Sequence, residues 1–421
     1  MTKAYEITGT TSLKGNVNIQ GSKNAALPII IASLLCKDKT TLYNIPEISD
    51  VFELIKILNQ LNVKTTFKNN ILKINSKNIK YKTLNMQEIQ NFRASYYFIG
   101  LFLSLFKKVE ILLPGGCKIG KRPIDQHIKG LQSIGTFTSI DNNVFKAEIK
   151  EIIPTPITLD IASFGATINI LLASLFTKET ITINNAAIEP EIIDLINYLN
   201  KLGFNINFNK NKTIHINPLI KINKANHTII PDRIVAGTFI IYGALLAKKL
   251  KIKNFIYEHN QLLIEYLTKL NVSMKISKQN KTITIYKSLL NNGLDIETGV
   301  FPLFPTDLHQ VIASLLFYCK SKSTITENLF ENRFQYLNEI YIMGGNFNIA
   351  DNTVEIYPSK INCANINCTD LRGGAALVLL CLKSNGTSVI KNIEYIERGY
   401  EKLPKTLKKL GAKINEIHIE E

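Results

Sequence analysis

Apolar and polar residues follow two different periods along this chain, and the two periods recur together in a fixed order. A short polar segment opens an almost entirely apolar run, as in GSKNAALPIIIASLLC, and a β-rich stretch follows the run. An amphipathic segment comes next: PEISDVFELIKILNQL places Val51, Leu54, Ile55 and Leu58 on one stripe of a helix. A helix that is apolar on all sides is buried, whereas an amphipathic helix covers a core. Each copy of the pattern therefore predicts one buried helix, strands and one outer helix.

The pattern occurs six times, at intervals of about 70 residues. Each copy predicts a βαβαβ-like unit, and a chain of 421 residues is long enough for two domains of three units each. We expect each domain to hold central helices surrounded by sheets and outer helices. The residues that open the six apolar helices are Lys23, Arg93, Gly165, Arg233, Asp307 and Arg372.

The starts of these six helices are candidate binding positions. The first turn of a helix offers free N–H groups and a partial positive charge. If the buried helices are parallel, their starts converge on one face of each domain. Two such faces opposed would form a cleft suited to phosphate and carboxylate groups.

The composition indicates a globular protein with an excess of positive charge. Hydrophobic residues make up 45% of the chain and charged residues 20%, and the formal net charge is +16. The charge admits three interpretations: a nucleic-acid binder, a biased composition with lysines spread throughout, or an anionic small substrate. No apolar stretch predicts a membrane span and the N-terminus has no signal-peptide pattern, so a cytoplasmic location is expected.

One cysteine occurs in a distinctive setting, the stretch LLPGGCKIGKRPIDQHIKG. The residues alone leave four roles open for Cys117: a nucleophile, a proton donor, a metal ligand or a small apolar residue in a loop. Cys36, Cys319 and Cys381 lie in apolar runs and are expected in the core. The spacing of the remaining two cysteines, without a nearby histidine, does not suit zinc, so no metal site is expected.

Ten short blocks of the chain are distinctive: GSKNAALP, NFRASYY, LPGGCKIGKRPIDQHI, SFGATINI, NNAAIEPEIIDL, PDRIVAGTF, FPTDL, TENLFENRF, DLRGGAAL and IERGYEKL. These blocks resemble those of the UDP-N-acetylglucosamine enolpyruvyl transferases, from about residue 5 to residue 416. The P-G-G-C-x-I-G-x-R-P block is specific, because the sister shikimate-pathway enzyme shares the fold and lacks this cysteine loop. The resemblance implies a two-domain inside-out α/β barrel, with residues 21–229 in one domain, residues 1–20 plus 230–421 in the other, and the active site in the cleft between them. It implies no cofactor.

The resemblance also implies a reaction. The enolpyruvyl group of phosphoenolpyruvate is transferred to the 3'-hydroxyl of UDP-N-acetylglucosamine and phosphate is released, the first committed step of peptidoglycan precursor synthesis. We expect a monomer that binds these two small molecules and neither nucleic acid nor a membrane. Addition followed by elimination requires an acid, a base and clamps for several negative charges.

Residues are assigned to these roles by the blocks that match. Cys117 is the predicted acid and the site of covalent attachment of phosphoenolpyruvate and of the antibiotic fosfomycin; basic neighbours in its loop favour the thiolate. Asp307 is the predicted base, although a helix start also suits an N-cap or first-turn acid. Lys23 and Arg398 are also assigned to catalysis. The predicted phosphoenolpyruvate ligands are Lys23, Asn24, Arg122, Arg372 and Arg398.

A second set is predicted to bind the UDP-sugar. Outside this set, Arg333 is a further candidate for holding phosphoenolpyruvate, with buried ion pairing as the alternative. His127 is either a general base or a residue that orients the loop. The predicted UDP-sugar ligands are Asn24, Arg93, Arg122, Pro123, Ile124, Asp125, Gln126, Ser163, Phe164, Gly165, Asp307 and Leu329.

Three positions depart from the family pattern. Ile161 stands where the family usually has a basic residue, Gln126 where it usually has an apolar one, and Ile188 where it usually has arginine. The first two lie near the expected uracil and diphosphate contacts, where a change would weaken UDP-sugar affinity without altering the chemistry.

Two other functions compete with this interpretation. One is an enolpyruvyl transferase of the shikimate-pathway type, and the cysteine loop argues against it. The other is a basic nucleic-acid-binding repeat protein. The chain contains no tryptophan and no pattern of stacking aromatics on a basic face, which disfavours that function.

Overall fold

The computed structural model describes residues 2–9, 12–85, 88–89, 92–113, 124–209 and 211–419. The chain divides into two compact units. We call them the terminal unit, formed by the described parts of residues 1–20 and 231–421, and the inserted unit, formed by the described parts of residues 21–116 and 122–230. Within the described ranges, no helix combines the length and the apolar character needed to cross a bilayer.

The strands of both units are short and numbered in chain order. They are β1 (Thr2–Thr8), β2 (Leu13–Asn18), β3 (Lys39–Tyr43), β4 (Lys64–Lys68), β5 (Ile71–Asn75), β6 (Lys108–Leu112), β7 (Thr136–Asp141), β8 (Val144–Ile149), β9 (Ile157–Thr158), β10 (Ile181–Asn184), β11 (Asn205–Asn209), β12 (Thr213–Asn217), β13 (His227–Thr228), β14 (Ala247–Lys253), β15 (Met274–Ser277), β16 (Thr282–Tyr286), β17 (Asp295–Glu297), β18 (Ser323–Thr326), β19 (Asn346–Ala350), β20 (Thr353–Tyr357), β21 (Asn365–Asn367), β22 (Thr387–Lys391) and β23 (Lys413–Ile419).

The helices alternate with these strands. The α-helices are α1 (Lys23–Ala32), α2 (Ser49–Gln60), α3 (Tyr97–Phe106), α4 (Asp125–Ser133), α5 (Phe164–Ala173), α6 (Pro190–Lys201), α7 (Arg233–Leu246), α8 (Gln261–Lys269), α9 (Thr306–Leu316), α10 (Tyr336–Ile342), α11 (Leu371–Lys383), α12 (Glu394–Glu397) and α13 (Leu403–Lys409). Short 3-10 helices occupy Ser33–Cys36, Arg93–Tyr96 and Tyr257–His259.

Within the described ranges, each unit contains three sheets, one for each predicted repeat. The orders are β13-β3-β5-β4, β6-β8-β7 and β11-β12-β10-β9 in the inserted unit, and β15-β16-β14-β2, β17-β18-β20-β19 and β21-β22-β1-β23 in the terminal unit. In a typical repeat, a parallel pair such as β9 and β10 flanks the buried helix, and an antiparallel hairpin such as β11 and β12 completes the sheet. The hairpin adds one strand to the predicted βαβαβ pattern.

The two N-terminal strands and the strand that ends the inserted unit complete three of the repeats. Strand β13, at the end of the inserted unit, pairs in parallel with β3 near its start. Strand β2 pairs in parallel with β14 of the terminal unit, and β1 pairs with both β22 and β23. Each unit therefore closes through strands that are remote in sequence, which is why a division at one point of the chain would not separate them.

The apolar helices form the centre of each unit, as the sequence predicts. They are α1, α3 and α5 in the inserted unit and α7, α9 and α11 in the terminal unit, and most of their residues are buried. Cys36, Cys319 and Cys381 are buried in these cores, which confirms that prediction. Burial of an apolar helix on all sides removes its side chains from water and drives the packing.

In each unit, two of the central helices run parallel to each other. Gly100 of α3 donates its N–H to the Asn169 side chain of α5 at 2.8 Å, and one turn later the Ser104 hydroxyl bonds the Leu172 carbonyl. A Cβ at Gly100 would lie 2.3 Å from the Asn169 carbonyl oxygen, so only glycine permits this approach. Helices α9 and α11 are parallel by the same criterion. Their bonded pairs are Gln310 with Asp370 and Ser314 with Ala376.

Candidate active site

In the terminal unit, Asp307 lies between two buried arginines at the start of α9. Its Oδ1 accepts a hydrogen bond from Arg333 Nη2 at 2.9 Å, and its Oδ2 accepts one from Arg372 Nη2 at 3.0 Å. The Arg333 and Arg372 side chains are 1% and 4% exposed, against 31% for that of Asp307. The structure therefore brings together two predicted site residues and adds Arg333, which forms the buried ion pair considered as its alternative.

Both arginines retain N–H groups that have no hydrogen-bond partner within the described part of the chain. These groups are Nε of Arg333 and both Nε and Nη1 of Arg372. Buried guanidinium donors without acceptors are costly, and a bound anion would supply the missing acceptors. Burial is the largest influence on Arg372 and disfavours its charged form, but Asp307, Tyr400 and Asp232 together outweigh burial and raise the pKa of Arg372 above its ordinary value. The guanidinium also lies 5.5 Å from the centre of the Tyr400 ring.

Arg398 is half-buried and directly follows α12. The backbone beyond it is held by Gln20, whose Nε2 donates to the Gly399 carbonyl at 3.0 Å and whose Oε1 accepts from the Glu401 N–H at 2.8 Å. The Tyr400 hydroxyl bonds the Thr238 hydroxyl at 2.9 Å. Gln20 was not predicted from sequence, because its partners lie at the opposite end of the chain.

In the inserted unit, Lys23 opens α1 and is paired with a carboxylate of α2. Its Nζ lies 2.7 Å from Asp50 Oδ2, and the two side chains are 13% and 9% exposed. Ser22 caps α1 through a 3.4 Å bond from the Ala25 N–H, and the next residue, Asn24, is half-buried. Asp50 was not predicted, since nothing near residue 50 distinguishes it from an ordinary first-turn acid.

His127 is held as a neutral donor beside the start of α5. Asn169 Oδ1 accepts a hydrogen bond from the Gly100 N–H, which orients the amide so that Nδ2 faces His127. Asn169 Nδ2 therefore donates to His127 Nδ1 at 2.9 Å. The ring proton is therefore assigned to Nε2, which lies 3.0 Å from the position of a Cβ at Gly165. Burial, and then the charge of Arg93, lower the pKa of His127 to about 4. A neutral ring with protonated Nε2 favours the orienting role over the general base.

Gln126 joins the start of α4 to the segment before α5. Its Oε1 accepts from the Asp160 N–H at 3.0 Å, and its Nε2 donates to Asp160 Oδ2 at 3.0 Å and to Asp125 Oδ2 at 3.1 Å. Lys129 adds an ion pair to the other oxygen of Asp160 at 2.5 Å. These bonds fix two segments that were both predicted to contact the UDP-sugar. The departure at Gln126 therefore has a structural counterpart, Asp160, which was not predicted.

The remaining predicted UDP-sugar residues lie at helix starts or on the surface. Ser163 caps α5 through a 3.3 Å bond from the Ala166 N–H, and Phe164 and Gly165 are half-buried. Ile161 is 63% exposed. Half-buried Ile124 precedes α4, whose first residue, Asp125, is exposed, and Arg93 is half-buried at 5.8 Å from the Tyr96 ring centre. In the terminal unit, Leu329 is 39% exposed.

Three predicted site residues lie outside the described residues: the proposed acid Cys117, the clamp Arg122 and Pro123. Within the described ranges, no group of three or more histidine, cysteine, aspartate or glutamate side chains is arranged to hold a metal ion. The described candidate residues, taken unit by unit, are cations, carboxylates and residues at helix N-termini, a composition suited to binding anions and moving protons.

Comparison with known proteins identifies the family. The model of the EPSP synthase family (3-phosphoshikimate 1-carboxyvinyltransferase) matches residues 7–407. UDP-N-acetylglucosamine 1-carboxyvinyltransferase 1 of Staphylococcus haemolyticus (strain JCSC1435) is 39% identical over 415 residues, which are 98% of each chain. UDP-N-acetylglucosamine 1-carboxyvinyltransferase 2 of Staphylococcus aureus (strain Mu50) is 37% identical over 413 residues, again 98% of each chain. The chain belongs to the UDP-N-acetylglucosamine 1-carboxyvinyltransferase family.

This membership confirms the resemblance of the sequence blocks, and the chain is a transferase. The names of the family model and of the relatives share carboxyvinyl transfer and differ in the acceptor. Solved structures confirm the fold. The enolpyruvyl transferase NikO from Streptomyces tendae has a TM-score of 0.87 at 20% identity, covering 99% of each chain. EPSP synthase from Acinetobacter baumannii has a TM-score of 0.75 at 15% identity, covering 99% of this chain and 100% of that one.

Proposed function

We propose that this member of the UDP-N-acetylglucosamine 1-carboxyvinyltransferase family transfers the enolpyruvyl group of phosphoenolpyruvate to the 3'-hydroxyl of UDP-N-acetylglucosamine, with release of phosphate. The product is the first committed precursor of peptidoglycan. The observation that carries this proposal is the 37–39% identity to enzymes named for this acceptor, along 98% of the chain.

In the proposed reaction, a proton is added to the methylene carbon of phosphoenolpyruvate while the sugar oxygen bonds to the neighbouring carbon. The sugar hydroxyl loses its proton to Asp307. The C–O bond to phosphate then breaks, and loss of a proton from the new methyl group restores the double bond. Cys117 is the proposed acid, on the strength of its sequence block alone.

The pairing of Asp307 suits this role once substrate is bound. A carboxylate that accepts from two guanidinium groups is a poor base, because both bonds stabilise its charge. We propose that phosphoenolpyruvate accepts hydrogen bonds from the Arg372 donors that lack partners in the described residues. A second anion on the same guanidinium would weaken its attraction for the Asp307 carboxylate and so raise the basicity of Asp307 when the second substrate is in place.

Two half-sites are required by this assignment. The inserted unit contributes Lys23, Asn24 and the starts of α4 and α5, and the terminal unit contributes Asp307, Arg372, Arg398 and Leu329. We propose that the substrates bind in a cleft between the domains, residues 21–229 and residues 1–20 plus 230–421. We further propose a cytoplasmic monomer that requires neither nucleic acid nor a membrane.

The test is phosphate release by the purified full-length protein. Release is expected with phosphoenolpyruvate and UDP-N-acetylglucosamine, and none is expected when shikimate 3-phosphate replaces the UDP-sugar. Phosphate release with shikimate 3-phosphate but not with UDP-N-acetylglucosamine, each in the presence of phosphoenolpyruvate, would overturn the proposed acceptor.

The role of Asp307 is tested in the same assay. Asp307→Asn is expected to lower kcat by at least about 100-fold, because general bases contribute roughly that much or more. Asp351→Asn is the matched control, since Asp351 is exposed in the turn between β19 and β20 at a positive φ that asparagine tolerates. An Asp307→Asn variant with the kcat of the control would contradict the assignment of the base.

A further inference from the structure

A buried carboxylate at the end of β18 joins both parts of the terminal half-site. Glu327 is 3% exposed. Its Oε2 accepts hydrogen bonds from the Thr306 hydroxyl at 2.8 Å and from His309 Nδ1 at 2.8 Å, and its Oε1 accepts from the Leu329 N–H at 3.0 Å. Thr306 immediately precedes Asp307, and Leu329 is a predicted contact of the UDP-sugar. One side chain therefore holds the base and the sugar-binding segment to each other.

A second set of bonds closes the network around the base. Arg333 Nη2 donates to the Thr306 carbonyl at 3.1 Å as well as to Asp307 Oδ1 at 2.9 Å. The first turn of α9 is thus held by Glu327 through the Thr306 hydroxyl and by Arg333 through the Thr306 carbonyl. Because α9 has no side-chain N-cap, these bonds supplement the backbone bond from the Leu308 N–H to the Pro305 carbonyl in holding its first turn.

The carboxylate is itself anchored to the sheet. The Glu327 N–H donates to the Asn352 carbonyl at 2.8 Å. The next residue, Asn328, donates its backbone N–H to the Thr298 hydroxyl at 3.0 Å and its side-chain amide to the Thr298 carbonyl at 3.1 Å. The end of β18 is therefore hydrogen-bonded to neighbouring segments, and Glu327 links it to the first turn of α9.

The charge state of the pair follows from its hydrogen bonds. His309 is fully buried, and its Nε2 has no partner within the described residues. A protonated ring would place a charged N–H there without an acceptor, and burial lowers the pKa of His309 below its ordinary value. Burial opposes the charge of Glu327, but the bonds from His309, Thr306 and Leu329 lower its pKa. The pair is therefore a neutral Nδ1–H donor bound to a carboxylate.

Three donors converging on two oxygens require an acceptor-only group. A glutamine at position 327 would turn an NH2 group toward His309 and Thr306, where two donors already point. A glutamine at position 309, by contrast, still offers a neutral N–H to the carboxylate. Comparing the two substitutions therefore distinguishes the loss of the acceptor at position 327 from a mere change in side-chain volume.

We infer that Glu327 is a positioning residue for the reaction, which sets the geometry of Asp307 and Leu329 toward the UDP-sugar without touching either substrate. The inference rests on the proposed function. It predicts a selective effect, because Lys23 and Arg398, two of the proposed phosphoenolpyruvate ligands, lie outside this network.

The experiment is steady-state phosphate release with each substrate varied in turn. Glu327→Gln is expected to lower kcat/KM for UDP-N-acetylglucosamine about 30-fold, the range for loss of a charge-assisted hydrogen bond, and to leave KM for phosphoenolpyruvate within about 3-fold. His309→Gln is expected to stay within about 3-fold of the unsubstituted protein in all parameters. Glu331→Gln, at an exposed position four residues away, is the matched control and is expected to change nothing.

Other outcomes overturn the inference. Glu327→Gln with unchanged kinetics would do so, as would equal losses for both substrates that parallel a loss of folded protein by circular dichroism. If Glu327→Gln does not fold, Thr306→Val carries the test: it removes one donor, and unchanged kinetics for UDP-N-acetylglucosamine would refute the network. Failure of the unsubstituted protein to release phosphate with UDP-N-acetylglucosamine would instead refute the proposed function, so the two failures are distinguishable.

Discussion

The buried ring of His127 should make the stability of the inserted unit depend on pH. Its Nδ1 accepts from Asn169, and burial together with the charge of Arg93 lowers its pKa to about 4 from an ordinary 6.5. The unfolded chain therefore takes up this proton before the folded chain does. The stabilisation is complete above pH 6.5 and is lost as the pH falls below that value.

The magnitude follows from the gap between the two pKa values. With about 4 in the folded chain and 6.5 in the unfolded chain, the stability falls by about 2 kcal/mol at pH 5 and by about 3 kcal/mol at pH 4. His127→Gln removes the titrating ring. The variant is expected to be less stable at pH 7, because the bond from Asn169 is disturbed, and to lose less stability on acidification.

Urea unfolding at pH 7, 6 and 5 measures this effect. The unfolding is monitored by far-UV circular dichroism, because the chain contains no tryptophan to serve as a fluorescence probe. The informative quantity is the difference in pH dependence between the unsubstituted protein and the variant. His309 is present in both proteins, so its own contribution cancels. His127→Phe, which keeps a ring without a titrating group, serves if the glutamine variant does not fold.

Equal pH dependence in the two proteins between pH 7 and 5 would refute the reasoning. It would mean that the His127 ring reaches water or another acceptor, and that burial does not hold it neutral. A smaller loss of stability in the unsubstituted protein than in the variant would refute the sign.

Three further predictions concern single contacts. Asp50→Asn leaves the Lys23 ammonium facing a neutral amide and should cost about 3 kcal/mol in urea unfolding; an unchanged midpoint would show that the pair contributes nothing. Gly100→Ala forces a methyl group against the Asn169 carbonyl and should cost about 1–3 kcal/mol, so an equally stable variant would contradict the close helix approach. Gln126→Leu removes the hydrogen bonds between Gln126 and Asp160 and should raise KM for UDP-N-acetylglucosamine about 5-fold. KM for phosphoenolpyruvate is the internal control, and equal changes in both KM values would argue against a local role.

Much of the fold was predictable because the apolar pattern of each repeat indicates which helices are buried. An apolar helix followed by strands and an amphipathic helix has few ways to bury its surface, and six copies of one pattern support each other. The helix starts were equally predictable: each of the six opening residues, from Lys23 to Arg372, is the first or second residue of a helical segment. The hairpin that ends each of the first five repeats was not anticipated, because its two strands resemble one β-rich stretch.

The partners of the site residues were not predictable. Asp50, Asp160, Glu327 and Gln20 are ordinary polar residues in the sequence, and each becomes important only through a group brought to it by folding. The same holds for the choice between alternatives at His127, since its neutral state depends on Asn169 and on burial.

The sequence by itself determined which residues are buried in helices, where those helices begin and which family the chain resembles, because periodicity and local motifs are properties of neighbouring residues. Only the tertiary structure decided that Asp307 is shared by Arg333 and Arg372 and that Glu327 holds its helix start. Charge states and hydrogen-bond partners depend on distances between remote segments and on exclusion of water, and neither is set until the chain has folded.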